Sequence, residues 1–347
     1  MKHMKKLTAL AMAVLMTLSL AACGQNSAGS SAASGSGSGS AAGSQEAAYT
    51  PAAYSVAALK GPTAMGLVKL MNDAETSGET GNDYTFTLAA AADEVTPSLI
   101  KGDLDMACVP ANLAATLYQK TEGQIVTLAV NTLGVIYIVE KGNAVQSMAD
   151  LKGQTIVAAG KGSTPEYALR YLLAENGVDP DNDVTIDWKS EHAECVSALA
   201  TGAATIALLP QPFVTVAQGK IADLRVALDL TEEWDALDNG SALLTGVVVA
   251  RKDVVEENPA AVDAFLQDYA ASVAWVNGNV ADAAALIGGY EIVDAAVAEK
   301  ALPYCNIVCI TGNEMEEKLS GYLDVLFQAN PASVGGALPE SDFYYGA

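Results

Sequence analysis

Between residues 54 and 209 the sequence alternates short apolar runs with stretches of helical period, and it does so twice with the same punctuation. The first unit reads strand 54–59, helix 62–72, strand 84–90, helix 94–101, strand 104–109 and helix 111–120. The second reads strand 155–159, helix 163–176, strand 184–188, helix 191–201, strand 205–209 and a short helix 211–219. Laid over each other at an offset of about one hundred, Leu99, Gly102, Ala107 and Pro110 fall on Leu199, Gly202, Ala207 and Pro210. Each glycine stands where a helix must stop, and each proline where a strand passes to the next helix. Such alternation specifies an α/β fold with mostly parallel sheets. The roughly 295 residues beyond position 53 exceed what one core normally holds, so two doubly wound lobes are expected.

Within the second unit, the segment from Gln154 to Leu173 is a strand, a glycine bend and a helix start. Ser163 followed by Glu166 has the spacing of a capping box, with Pro165 in the first turn. The comparable bend of the first unit is Lys60-Gly61-Pro62-Thr63, near Lys161-Gly162-Ser163-Thr164 in the overlay. In both, strand ends and helix starts offer free backbone N–H groups along one edge.

The rest of the body connects and covers these units. Segments 125–131 and 135–140 read as strands leaving the first unit, and 224–229 and 245–250 as strands that bring the chain back. Beyond Arg251 the pattern is helical, over 254–257, 259–277, 281–287, 294–300 and 314–328. These helices are expected to pack on the first lobe. The boundaries that follow are 54–140 with 246–347 for lobe I and 141–245 for lobe II.

The amino terminus has another character. Lys2, Lys5 and Lys6 precede an apolar run from Leu7 to Leu20, the layout of a secretory signal and too short to span a bilayer. Leu20-Ala21-Ala22-Cys23-Gly24 resembles a bacterial lipobox, which implies a signal peptide over 1–22 and acylation of Cys23; a plain signal peptide is the alternative. Residues 24–53 are nearly all Gly, Ser and Ala, and read with Cys23 as an anchor and flexible tether over 23–53.

With 41 acidic against 18 basic residues and a net charge of −23, the surface is unsuited to nucleic acid. Apart from Cys23, the cysteines are Cys108, Cys195, Cys305 and Cys309. The first two sit in apolar or helical patterns, and the last pair is spaced too far apart along a strand to bridge. No metal-ligand spacing is present, His192 is the one histidine outside the signal segment, and no cofactor is expected.

In their order along the chain, several short motifs resemble the solute-binding proteins of bacterial ABC importers, in the branch that takes alkanesulfonates, taurine, nitrate-like anions or thiamine pyrimidine precursors. They are Lys101-Gly102-Asp103-Leu104-Asp105, Met148-Ala149-Asp150-Leu151-Lys152-Gly153, Gly162-Ser163-Thr164-Pro165, Val248-Val249-Ala250-Arg251-Lys252, and the stretch from Gly335 to Tyr344. The resemblance implies a fold of the periplasmic-binding-protein type II kind: two α/β lobes, two crossover segments and a ligand cleft between them. It also implies an ABC permease as partner for a monomeric, extracytoplasmic receptor.

A cleft of this kind needs polar groups on both facing edges and a hinge. Lobe I offers Gly61, Pro62 and Thr63, then Ala92 beside Asp93, then Asn112, with Asn131 and Thr132 at the end of a strand. Lobe II offers Ser163, Thr164, Glu191 and Gln211. No arginine lies in these bends, which disfavours a bidentate grip on sulfonate or carboxylate. Lys60 and Lys161 are candidate cations, while Phe213, Trp188 and Tyr167 are candidate stacking partners that also suit a core.

Two other functions compete with a tethered receptor. A secreted enzyme on the same scaffold would use Glu191 and His192 as an acid/base pair, although neighbours at a helix start do not face each other. A sensor domain would pass ligand occupancy to a membrane partner. Gly160-Lys161-Gly162-Ser163 lacks the loop length of a nucleotide-binding P-loop.

Overall fold

The computed structural model describes residues 49–347. The signal segment, Cys23 and the tether up to residue 48 lie outside the described residues. Residues 49–53 belong to the folded body rather than to the tether: Ala52 N donates to Asn82 Oδ1 (2.9 Å), Thr50 O accepts from Asn258 Nδ2 (3.0 Å), and Ala53 already pairs with Asp83.

The chain runs through β1 (Ala53–Leu59), α1 (Pro62–Met65), α2 (Val68–Thr76), β2 (Asp83–Ala89), α3 (Ala92–Lys101), β3 (Met106–Pro110), α4 (Ala111–Lys120) and β4 (Ile125–Leu133). It crosses over into β5 (Ile136–Lys141), β6 (Thr155–Ala158), α5 (Thr164–Glu175), β7 (Thr185–Trp188), α6 (His192–Thr201), β8 (Ile206–Pro210), α7 (Phe213–Lys220), β9 (Leu224–Asp229) and α8 (Leu230–Asp235). It returns through β10 (Leu244–Arg251), α9 (Lys252–Glu257), α10 (Pro259–Gly278), α11 (Val280–Gly289), α12 (Ala295–Ala301), β11 (Ile307–Ile310) and α13 (Gly312–Ala329).

Two sheets result, ordered β11-β4-β10-β3-β1-β2 and β7-β6-β8-β5-β9. Leaving β11 aside, the two orders correspond strand for strand. Three parallel strands (β2, β1, β3; β7, β6, β8) are followed by an antiparallel strand from the other half of the chain, β10 in the first lobe and β5 in the second. The repeat read from the sequence is carried into the register: Ala57 pairs with Ala107, and Val157 with Ala207. α3 and α6 end at Gly102 and Gly202, both left-handed, so the matched glycines do the same work in both lobes.

Strand pairing moves one lobe boundary. Residues 136–140, expected in lobe I, pair with β8 and β9 and so belong to the second sheet, because an apolar run with no helix after it can join either edge. The crossover is therefore the short link at Gly134 between β4 and β5. A Cβ at Gly134 would stand 2.1 Å from Thr231 Oγ1, so only glycine fits between the strands and α8.

α2, α10 and α11 cover one face of the first sheet around Met65, Leu67, Phe265 and Tyr269. α13 does more than cover the first lobe. Its Met315, Leu319, Tyr322 and Leu323 share a core with β3 and β10 residues of the first lobe and with Trp234 and Leu172 of the second. Tyr322 packs 5.6 Å from Trp234, which lies 4.8 Å from Tyr171 of α5. One helix thus backs both lobes behind the crossovers.

Candidate functional site: the interlobe cleft

Most buried side chains are apolar, and buried polar ones need a reason. Thr63, Asn112, Asn131, Thr132, Thr164 and Gln211 are all at most 8% exposed, and all stand at the strand ends and helix starts of the two facing edges.

On the first lobe, β4 and β10 carry a compact polar floor. Thr132 Oγ1 donates to Asn131 Oδ1 (3.0 Å), Asn131 Nδ2 donates to the Thr63 carbonyl (3.4 Å), and Thr63 Oγ1 donates to the Leu59 carbonyl (2.9 Å). Gly246 of β10 lies beneath them: a Cβ there would meet Asn131 Oδ1 at 2.5 Å and Thr63 Cγ2 at 2.6 Å. Gly246 was not among the expected site residues. Its only sequence signal is a lone glycine in a valine-rich strand, which marks close approach of another group. Gly61 and Pro62 are half-buried at the start of α1, and Ala92 is half-buried at the start of α3.

Asn112, in the first turn of α4, spans the lobes. Its Nδ2 donates to the Gly162 carbonyl of the second lobe (3.4 Å) and to the Ser333 carbonyl after α13 (3.2 Å), while its buried Oδ1 has no partner. Ser333 carried no sequence signal, since only the fold brings it here.

On the second lobe the expected capping box is not formed. Ser163 Oγ donates backwards to the Gly160 carbonyl (2.8 Å), and Glu166 Oε2 accepts from Gly162 N (2.7 Å), one residue before the expected Ser163 N–H. The left-handed turn at Gly160 and Gly162 makes this earlier N–H the nearer one. Arg170 Nε holds the other Glu166 oxygen at 3.1 Å. Thr164 is 1% exposed and accepts from the Tyr322 hydroxyl (3.3 Å). Gln211, whose peptide bond to Pro212 is cis, accepts through Oε1 from Thr215 Oγ1 (2.9 Å).

Glu191 and His192 do not form an acid/base pair. Glu191 is exposed, whereas the His192 ring packs on Phe213 with centroids 5.1 Å apart and leaves Nδ1 without a partner. Burial lowers the His192 pKa to about 4, so the imidazole is neutral near pH 7. Trp188 and Tyr167 pack against the shared core, and Phe213 against the second lobe's own core.

The three arginines of the sequence are all paired with carboxylates: Arg170 with Glu166 and Asp181, Arg225 with Glu140, Arg251 with Asp253 and Asp105. Lys60 and Lys161 are exposed. A groove of about 760 Å³ also lies between the flanks of α5 and α13, lined by Tyr167, Arg170, Tyr171 and Gln328 among others. Its lining includes none of the strand-end polar residues, and its one arginine, Arg170, is already paired with Glu166 and Asp181, so the edges remain the better candidate. Among the described residues no acidic, histidine or cysteine cluster is arranged for a metal, and no helix is long and apolar enough to cross a membrane.

The sequence profile of a family described as "ABC transporter, phosphonate, periplasmic substrate-binding protein" matches residues 74–298. The chain belongs to this family of periplasmic substrate-binding proteins. As a substrate-binding protein of ABC importers it has the fold of its structural neighbours. An ABC transporter structure from Parabacteroides distasonis superposes with a TM-score of 0.71 at 23% identity, covering 84% of this chain and 98% of that one. The periplasmic aliphatic sulphonate binding protein SsuA from Escherichia coli gives 0.68 at 19% identity, covering 85% and 96%. The periplasmic nitrate-binding protein NrtA from Synechocystis PCC 6803 gives 0.53 at 16% identity, covering 72% and 69%. No curated protein matches the sequence.

Proposed function

We propose that this substrate-binding protein captures a small solute between its two lobes, at the edges carrying Thr63, Asn112, Thr132, Thr164 and Gln211, and presents it to an ABC permease as a monomer tethered by acylated Cys23. The observation that carries the reading is Asn112, a buried amide that links the lobes yet keeps an unpaired acceptor. The lobe division that supports it is 49–133 with 244–347 against 136–243, following sheet membership. Binding without turnover is favoured by the exposed Glu191 and the stacked, neutral His192. Gly61, Pro62, Ala92, Ser163 and Glu191 would then form the rim.

The test is a thermal-shift screen of the purified protein against a metabolite panel, followed by calorimetry with any hit. Stabilisation of the wild type that is lost in Asn112→Ala supports the reading; no hit across the panel, or a hit indifferent to all five edge residues, overturns it. Cys23→Ser should release the protein from cells into the medium, and retention at the membrane would remove the tether.

A further inference from the structure

We infer that the ligand is an uncharged molecule carrying N–H or O–H donors, and that this cleft rejects phosphonate and sulfonate anions. The inference rests on the cleft assignment above and narrows it to a ligand class.

Helix starts attract anions through their free N–H groups. Here the protein's own side-chain oxygens stand beside several of them. Glu94 Oε1 accepts from Ala91 N at the start of α3 (3.1 Å), Glu166 Oε2 from Gly162 N ahead of α5 (2.7 Å), and Glu194 Oε2 from Ser190 N ahead of α6 (2.9 Å). At α7, Gln211 Oε1 takes the Thr215 N–H and hydroxyl (3.4 and 2.9 Å). The start of α4 has no acidic residue, yet there the Asn112 carbonyl oxygen lies buried. Three of these five oxygens belong to carboxylates, so an arriving anion would meet like charge beside the helix starts.

Of the three carboxylates only Glu166 is offset by a cation, Arg170 at 3.1 Å, and that arginine is shared with Asp181. Arg225 and Arg251 are engaged elsewhere, Lys189 pairs with Asp187 (2.7 Å), and Lys60 and Lys161 stand in solvent. His192 is uncharged near neutral pH.

The unpaired Asn112 Oδ1 gives the positive half of the inference. It is an acceptor on a residue 3% exposed, and a buried acceptor left empty is costly. A phosphonate dianion or a sulfonate has acceptors only and cannot satisfy it. An amide, a lactam N–H or a sugar hydroxyl can, while the Thr63 and Thr132 hydroxyls, whose protons go to Leu59 and Asn131, are left with acceptor capacity only.

The experiment uses the purified full chain. Mass spectrometry identifies any ligand retained after gentle purification, and calorimetry measures methylphosphonate, ethanesulfonate, nicotinamide, thymine and glucose. The expected result is a retained or titrated uncharged ligand bound at least 100-fold more tightly than either anion, with Asn112→Leu weakening it at least tenfold. Micromolar binding of methylphosphonate or ethanesulfonate overturns the inference, as does the absence of any uncharged ligand. If such an anion bound and Asn112→Leu weakened it, the cleft would stand and only the ligand class would fall. If an uncharged ligand bound and neither Asn112→Leu nor Thr164→Val changed its affinity, the cleft assignment itself would fall. Thermal melts of both variants separate lost binding from lost folding.

Discussion

The side-chain amide of Asn112 donates to the carbonyl of Gly162 across the lobe boundary, 3.4 Å away, and to the carbonyl of Ser333 at 3.2 Å. One residue of α4 therefore senses the second lobe and the segment after α13 together.

Asn112→Ala should cut ligand affinity on the order of tenfold, since one hydrogen bond is worth about 1–1.5 kcal/mol. Calorimetry with the ligand found in the screen measures it. An unchanged dissociation constant would show that Asn112 only ties the lobes together.

Gly246→Val should abolish binding while the protein still folds. Its side chain would enter the space held by Asn131 Oδ1 and Thr63 Cγ2, 2.5 and 2.6 Å from the Cβ position. Overpacking of this kind costs about 1–3 kcal/mol. A thermal melt alongside the binding assay checks both halves, and a variant that binds normally would place the ligand elsewhere.

His192 should titrate near pH 4 in the folded protein, followed through its imidazole NMR signal. Because burial depresses this pKa from 6.5, the unfolded chain binds the extra proton first. The group's contribution to stability is therefore complete above about pH 6.5 and declines towards pH 4, by up to about 3 kcal/mol. A titration near 6.5 would mean that the ring leaves Phe213 in solution.

Glu140 should supply part of the acid sensitivity of the second lobe. Burial pushes its carboxyl up, but the Ala144 and Val145 N–H groups (2.8 and 3.2 Å) and the Arg225 guanidinium (2.5 Å) outweigh that and hold it below the usual carboxylate range. A depressed carboxylate stabilises above its unfolded pKa and loses that stabilisation as pH falls through the folded one. Glu140→Gln should cost about 1–3 kcal/mol at pH 7 and less at pH 3. Denaturant melts at the two pH values test this; an equal loss at both would assign the effect to packing.

The sequence by itself determined the α/β alternation, the repeat at an offset of about one hundred, and the bends from which Thr63, Asn112, Thr164 and Gln211 emerge. These are local matters, set by period, by glycine at helix ends and by proline at strand ends, and they survive into the register of Ala57 with Ala107 and Val157 with Ala207. Only the tertiary structure decided which sheet receives the strand over 136–141, that α13 backs both lobes, that Gly246 lies against Asn131 and Thr63 and Ser333 against Asn112, and that Glu166 reaches Gly162 in place of Ser163. The reason is physical. A strand's edge partner, a close approach and the direction of a side-chain hydrogen bond depend on groups far apart in the chain, and no local pattern records where those groups will stand.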